Sequence, residues 1–472
     1  MSTLYNATTN MGFTENGALT LTTTGSAVLD LFAMGGALRD RQEEEIISLV
    51  DKAYKEDPIR TVAVLLYLRD CRKGQGEKKI FKVANKYLIK TYDLDKKSLF
   101  NAIAEYGCYK DAFDILSPEE IAPILLPYIK EAKDNDSSSL LFKWMPSIKG
   151  SREKYAKKLA KLLKMSDKEY RKFLSSKRKS LNIVESKMCK NEWGEIKYSS
   201  VPSKANLIYS RAFNRHDTER YTNFLNEVKE GKSKINASVL YPYEIYRKAS
   251  ELNADALWES LPDYTNGENA LVVCDTSGSM FSSWSSSVEP IAVSVSLALY
   301  FAERNKGIFH NEFITFSGTP EFQKIKGDSL LDKIQNLKDA NWGYNTNLQK
   351  VFELILNSAV QYKVPKEEMP TTLYIISDME FDSCVEGTNL DGIISKYNKY
   401  GYDLPRIVFW NVNSKQNNVC ASKDKEGVML VSGCSPSVFK YATDSSMTPE
   451  SFMNNIIQEY YKDAKLITQC LI

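Results

Sequence analysis

Residues 274–280, CDTSGSM, follow the hydrophobic run ALVV and gather one carboxylate and two alternately spaced hydroxyls, Asp275, Ser277 and Ser279, around a glycine. Such a stretch suits a metal loop, a catalytic serine or a turn. Two other segments offer oxygen: NTNL, with Thr346, and ISDME, with Asp378. Five oxygen-bearing side chains without a thiol or imidazole pair suit a hard divalent cation. Mg2+ is expected first, with Mn2+ or Ca2+ as alternatives, and water or an incoming acidic group completing the coordination.

Catalysis has weaker support. TSGSM lacks the GxSxG nucleophile elbow, and neither His216 nor His310 lies in a segment that obviously reaches the serines. The glycine-rich KGQGEK lacks the GxxxxGK[ST] phosphate-loop spacing. A nonenzymatic protein is therefore expected. The eight cysteines are scattered without a CxxC pair, which leaves zinc and a disulfide framework unsupported; Cys274, beside an apolar run, is expected to be buried.

A second chemistry lies in the charge. Residues 1–250 carry 44 basic and 32 acidic side chains, whereas 251–472 carry 18 and 28, and 151–250 alone hold 24 against 11. That concentration points to a polyanion-binding surface, against the plainer reading of solvated helix faces. The best candidates are Lys143, Lys172, Lys177, Arg178 and Lys179, then Lys197, Lys204, Arg211, Arg215 and His216. His216 also reads as a hydrogen-bond partner at a helix end.

Both chemistries need positioning elements. Apolar residues recur at three- and four-residue spacing through the first half of the chain, predicting stacked helices of the HEAT type over 18–262. Within them, Ser166 and Glu169 form a capping box. From about residue 266, strands such as ENALVVCD, HNEFITF, TTLYIISD, PRIVFWN and GVMLVS alternate with helices. This grammar predicts a largely parallel α/β sheet over 266–472, with ligands at the carboxyl ends of its strands. A chain of 472 residues accommodates two such domains. No apolar run is long enough for a membrane span, and the start lacks a secretory signal, so a monomeric, intracellular, cytoplasmic protein is expected.

DTSGS with downstream Thr346 and Asp378 resembles the metal-ion-dependent adhesion site (MIDAS) of von Willebrand factor type A domains. The resemblance implies that Asp275, Ser277, Ser279 and Thr346 contact the ion directly or through water and that Asp378 completes the site. The segments GSAVLDLFAMGGALR, LLYLRDCRKGQGEKKIF, KWMPS and WGEIKYSSVPSKANLIYSRAFNRHD look like relatives of the Ro60 (TROVE) ribonucleoproteins. That likeness implies a helical ring joined to a Rossmann-like von Willebrand A domain, and small noncoding, misfolded or single-stranded RNA as partner. Two alternatives stand beside it: a metal-dependent protein-interaction module that captures a partner's acidic residue without RNA, and a structural component of a virus or mobile element.

Overall fold

The carboxyl-terminal half is built on a six-stranded sheet in the order β5-β4-β3-β6-β7-β8, parallel except for the antiparallel edge strand β5. The strands are β3 (Ala270–Asp275), β4 (Glu312–Phe316), β5 (Glu321–Lys324), β6 (Thr372–Ser377), β7 (Arg406–Asn411) and β8 (Val428–Ser432). A hairpin of β1 (Met11–Phe13) and β2 (Leu19–Leu21) precedes them in the chain. The structure is a computed structural model describing residues 10–135, 138–181, 183–265, 267–281, 288–316, 319–338, 347–381, 390–441 and 447–469.

Successive strand residues face opposite ways, and both faces are apolar. Val272, Cys274, Ile376, Val408 and Trp410 join a core shared with the helix Pro290–Arg304 and with the helical half. Leu271, Val273, Leu373, Ile375 and Phe409 pack on the other side with Val351, Phe352 and Ile355 of the helix Leu348–Tyr362. The near-continuous apolar runs of β3 and β6 follow from burial on two faces. Connections diverge on either side of the β3–β6 pair, which makes its carboxyl end the switch point of a doubly wound sheet.

Among the described residues, the first half is helical apart from the hairpin. Its long helices include Glu43–Glu56, Pro58–Arg69, Lys79–Tyr92, Pro118–Asp134, Asp167–Ser180 and Ser203–His216. Local chemistry starts several of them: Asp57 caps the second, Ser117 and Glu120 box the fourth, and Ser166 and Glu169 box the fifth as expected. Inside this body Arg69, 2% exposed, pairs with buried Asp111 at 2.6 Å.

The two halves share one packed interior. The helix Ala27–Gly35 lies on β8, and Gly36 approaches the backbone of Ser432 so closely that a β-carbon would collide with it. The Gly36 N–H donates to Ser432 Oγ at 2.8 Å, and that hydroxyl donates to Phe32 O at 2.9 Å. At the other end of the chain, the helix Tyr461–Thr468 packs on Pro58–Arg69 and Lys96–Tyr106 rather than on the sheet. There the Asp95 N–H donates to Ile467 O at 2.8 Å and Tyr106 Oη to Asp463 at 2.6 Å. Late in the helical half, Tyr241 Oη lies against Gly76, which holds a left-handed φ of 65°.

Candidate metal centre and basic surface

β3 and β6 are adjacent and parallel, with Cys274 opposite Ile376, so their carboxyl ends deliver Asp275 and the Ser377–Asp378 pair side by side. Asp275 is fully buried. Its Oδ1 accepts the Ser277 N–H at 2.8 Å, and its Oδ2 accepts Ser377 Oγ at 2.5 Å. Beyond it the chain enters the short turn Gly278–Phe281, where Ser277 Oγ and Ser279 Oγ stand 2.9 Å apart. The two hydroxyls predicted to act together do lie together.

Asp378 is 1% exposed. Its Oδ1 accepts the Glu380 N–H at 3.2 Å, while its Oδ2 accepts no hydrogen bond among the described residues. The Lys415 ammonium stands 3.3 Å from that oxygen, an ion-pair distance without hydrogen-bond alignment. Between the two acidic residues, Met379 takes a φ of 65°, unusual for a side chain of this size, and its N–H donates to Ser377 Oγ at 3.0 Å. Thr346, the remaining candidate ligand, lies outside the described residues.

Burial and the charge of Asp378 push the Asp275 carboxyl up to about 7, against the hydrogen bonds from Ser377 and Ser277. Without a cation the two buried carboxyls disfavour being charged together, and Lys415 is the cation that stands against Asp378. A carboxylate oxygen that accepts no hydrogen bond among the described residues, two hydroxyls and no sulfur or imidazole donor fit a small hard cation. Among the described residues no three His, Cys, Asp or Glu side chains gather to hold a metal, so the fit rests on this mixed carboxylate and hydroxyl set. Cys274, buried as expected, faces away toward Ser294, and burial pushes its thiol up to about 12.

Four residues at this edge escaped sequence reasoning. Ser377 orients Asp275. Lys415, in the loop after β7, reaches Asp378, the Ser279 carbonyl at 3.5 Å and Glu15 at 3.6 Å. Glu15 and Glu380 meet through the β1–β2 hairpin, whose Glu15 N–H donates to Glu380 Oε2 at 2.7 Å and whose Thr14 hydroxyl donates to Phe381 O at 2.6 Å. The strand-end rule offered a signal for Ser377 and Lys415, since both leave carboxyl ends of predicted strands. Nothing local announced that residues 14–16 would fold back over 360 positions.

The basic candidates have diverse surroundings. Lys172, Lys179, Lys197 and Arg215 are exposed. Lys143 stands 3.8 Å from Glu185 and over the Trp144 ring. Lys177 is 4% exposed and belongs to the interior of the helical body. Arg178 donates to Met145 O at 2.6 Å, Ser147 Oγ at 2.7 Å and Phe142 O at 3.0 Å, so it fastens the end of the helix Leu140–Trp144. Lys204 pairs with Glu244 and Arg211 with Glu251. Opposing the Glu244 pairing, burial and the ammonium groups of Lys78 and Lys248 draw Lys204 down to about 8. His216 ends its helix stacked on Trp193, centroids 4.4 Å apart, where the sequence suggested a hydrogen-bond partner.

These features define a doubly wound α/β unit with an oxygen-rich switch-point site, packed onto a basic helical body. The chain belongs to the family described as domain of unknown function DUF2828, which matches residues 14–118 and 138–276, more than half of it. A second family, domain of unknown function DUF7788, matches residues 269–465. The chain is 28% identical to the uncharacterized protein L728 of Acanthamoeba polyphaga mimivirus over 96% of its own length and 88% of that protein. It also aligns with the crystal structure of the Deinococcus radiodurans RO (RSR) protein over 93% of this chain and 100% of that one, at 12% identity and a TM-score of 0.37. A likeness of that size carries no argument about shared architecture or activity.

Proposed function

We propose that this protein is a nonenzymatic RNA-binding scaffold whose helical body takes small noncoding or single-stranded RNA and whose α/β unit carries a Mg2+ site. The observation that carries the RNA reading is the excess of 24 basic over 11 acidic residues in 151–250, with Arg171, Lys179 and Lys187 having no carboxylate at ion-pair distance among the described residues. Unpaired cations on a folded surface release counterions when a phosphate chain replaces them. The return of Tyr241 to Gly76 supports a closed helical path of the kind the Ro-type resemblance implies.

At the metal centre, Asp275, Ser277, Ser279 and Asp378 would hold the ion, with Thr346 as the further ligand implied by the von Willebrand A resemblance. A bound divalent cation would supply an open position for a partner's carboxylate. The RNA reading is tested by titrating labelled single-stranded RNA into the full chain across a salt series. Binding is expected to weaken with a log–log slope of roughly −0.7 per phosphate contact, and charge reversal at Lys172, Lys179 and Arg215 to flatten it. Absence of binding at low salt sinks the reading. A second reading shares this metal site, metal-dependent capture of an acidic protein segment without RNA, and is supported by the Asp378 oxygen that accepts no hydrogen bond among the described residues. A partner retained in Mg2+, released by a chelator and lost on Asp275→Ala in RNA-free samples would favour it.

A further inference from the structure

The helix Asp167–Ser180 places two parallel rows on one face: Tyr170, Leu174 and Arg178 at four-residue spacing, with Arg171, Ser175 and Lys179 beside them. Facing these rows, the segment after the helix contributes Lys187 and Lys190, and between them lies a cavity of about 510 Å3. Its volume falls within the usual range for small-ligand sites. The cavity lies in the helical half, away from the switch-point site of the sheet.

Its charge is lopsided. Among the described residues five cations line it, Arg171, Arg178, Lys179, Lys187 and Lys190, against the single carboxylate of Glu192, which stands 3.8 Å from Lys190. The others meet only neutral acceptors or solvent among the described residues. Arg178 donates to two carbonyls and the Ser147 hydroxyl, Lys187 to the Glu195 carbonyl, and Arg171 Nε to the Asp167 carbonyl at 3.3 Å. Like charges gathered around one opening give it a positive potential that attracts an anion. Ile148 and Leu174 give the same cavity an apolar wall, and Tyr170 is fixed behind them by donating to Pro146 O at 2.9 Å.

We infer that this cavity binds a phosphate monoester carried on a nucleoside, with the cations taking the phosphate and the apolar wall taking the base or sugar. A monoester carries roughly −1.5 to −2 near neutral pH, whereas a phosphodiester carries one charge, so Arg171, Lys179 and Lys187, the three lining cations neither paired with a carboxylate nor committed to the fold, favour the end of a strand over its middle. A free mononucleotide and a phosphorylated RNA terminus share this chemistry. The second source rests on the RNA reading above; the first does not.

The experiment uses the full chain, a fluorescent nucleoside monophosphate, and labelled short oligoribonucleotides identical except for a terminal phosphate or hydroxyl. Anisotropy is expected to show about tenfold tighter binding of the phosphorylated oligonucleotide, the scale of one charge-assisted hydrogen bond. The double variant Arg171→Glu, Lys179→Glu changes exposed positions and should abolish that preference with an unchanged melting temperature. Arg215→Glu, outside the cavity, should weaken both oligonucleotides alike and keep the preference. Binding of the mononucleotide without either oligonucleotide supports the cavity and removes the RNA reading. Equal binding of the two oligonucleotides together with no mononucleotide binding overturns the cavity assignment while leaving the RNA reading standing.

Discussion

The switch-point site and the basic surface are both rich in charge, but they hold it in opposite ways. At the sheet edge, Asp275 and Asp378 are buried, few in number, and fixed by main-chain geometry: two neighbouring parallel strands end at one level, and Ser377 clamps one carboxylate. On the helical body, charge is spread over many long side chains, and several have structural partners, as Arg178 does with its three acceptors. A buried pair of like charges creates a specific demand for a cation, whereas an exposed excess of charge creates a general attraction for polyanions. The comparison also separates candidates that resemble one another in sequence: Lys179 is free to meet a ligand, while its neighbours Lys177 and Arg178 are committed to the fold.

The sharpest way to break this contrast is Asp275→Ala. It should lower Mg2+ affinity by about 100-fold or more, the upper end of what loss of even an outer-shell partner costs, and leave RNA affinity nearly unchanged. Isothermal titration with Mg2+, alongside RNA anisotropy, checks both halves; equal loss of both ligands would show that the two regions are one site. Next in size, Arg178→Ala should cost roughly 2 kcal/mol in urea unfolding, because charge-assisted hydrogen bonds to Phe142, Met145 and Ser147 disappear. Loss of RNA binding at unchanged stability would instead make Arg178 a ligand contact.

A third comparison uses pH. The folded-state value of Asp275 is raised from 3.8 to about 7, so the folded protein holds this proton more tightly than the unfolded chain. Its contribution to metal-free stability is therefore present below the unfolded value and is lost as pH rises toward and through 7. On the proposed metal reading a bound Mg2+ would need the carboxylate, so its affinity should fall by up to about tenfold per pH unit below that point. Melting curves with and without Mg2+ at two pH values measure both signs. The smallest effect is expected from Lys415→Met: removing an ammonium 3.3 Å from Asp378 should tighten Mg2+ by a few-fold, and weaker binding would instead make Lys415 a supporting residue.

Much of the switch-point site was legible because its signals are local. ALVVCD and TLYIIS read as buried strands, and the oxygen-bearing residues at their ends read as a pair of loops facing one ligand. The Ser166–Glu169 box was legible for the same reason, since both partners lie within one turn. β5 and the β1–β2 hairpin were not: Glu321–Lys324 is a short, largely exposed edge with two charges among four residues, and three-residue strands hold no period to read. Nor was the docking of the last helix on Pro58–Arg69 and Lys96–Tyr106, although its buried Ala464 and Ile467 fall on one stripe. A stripe records burial, but it does not name the surface that buries it.

The sequence by itself determined a helical, basic first half, a parallel α/β second half and the oxygen character of the loop after β3, because composition, period and turn chemistry act over a few residues. Only the tertiary structure decided that Asp275 and the Ser377–Asp378 pair share one edge, that Lys415 and Glu15 border it, that Arg178 serves the fold, and that a cavity opens beside Lys179. Those outcomes depend on contacts between residues up to hundreds of positions apart, where burial and close packing choose the partner and local preference has no influence.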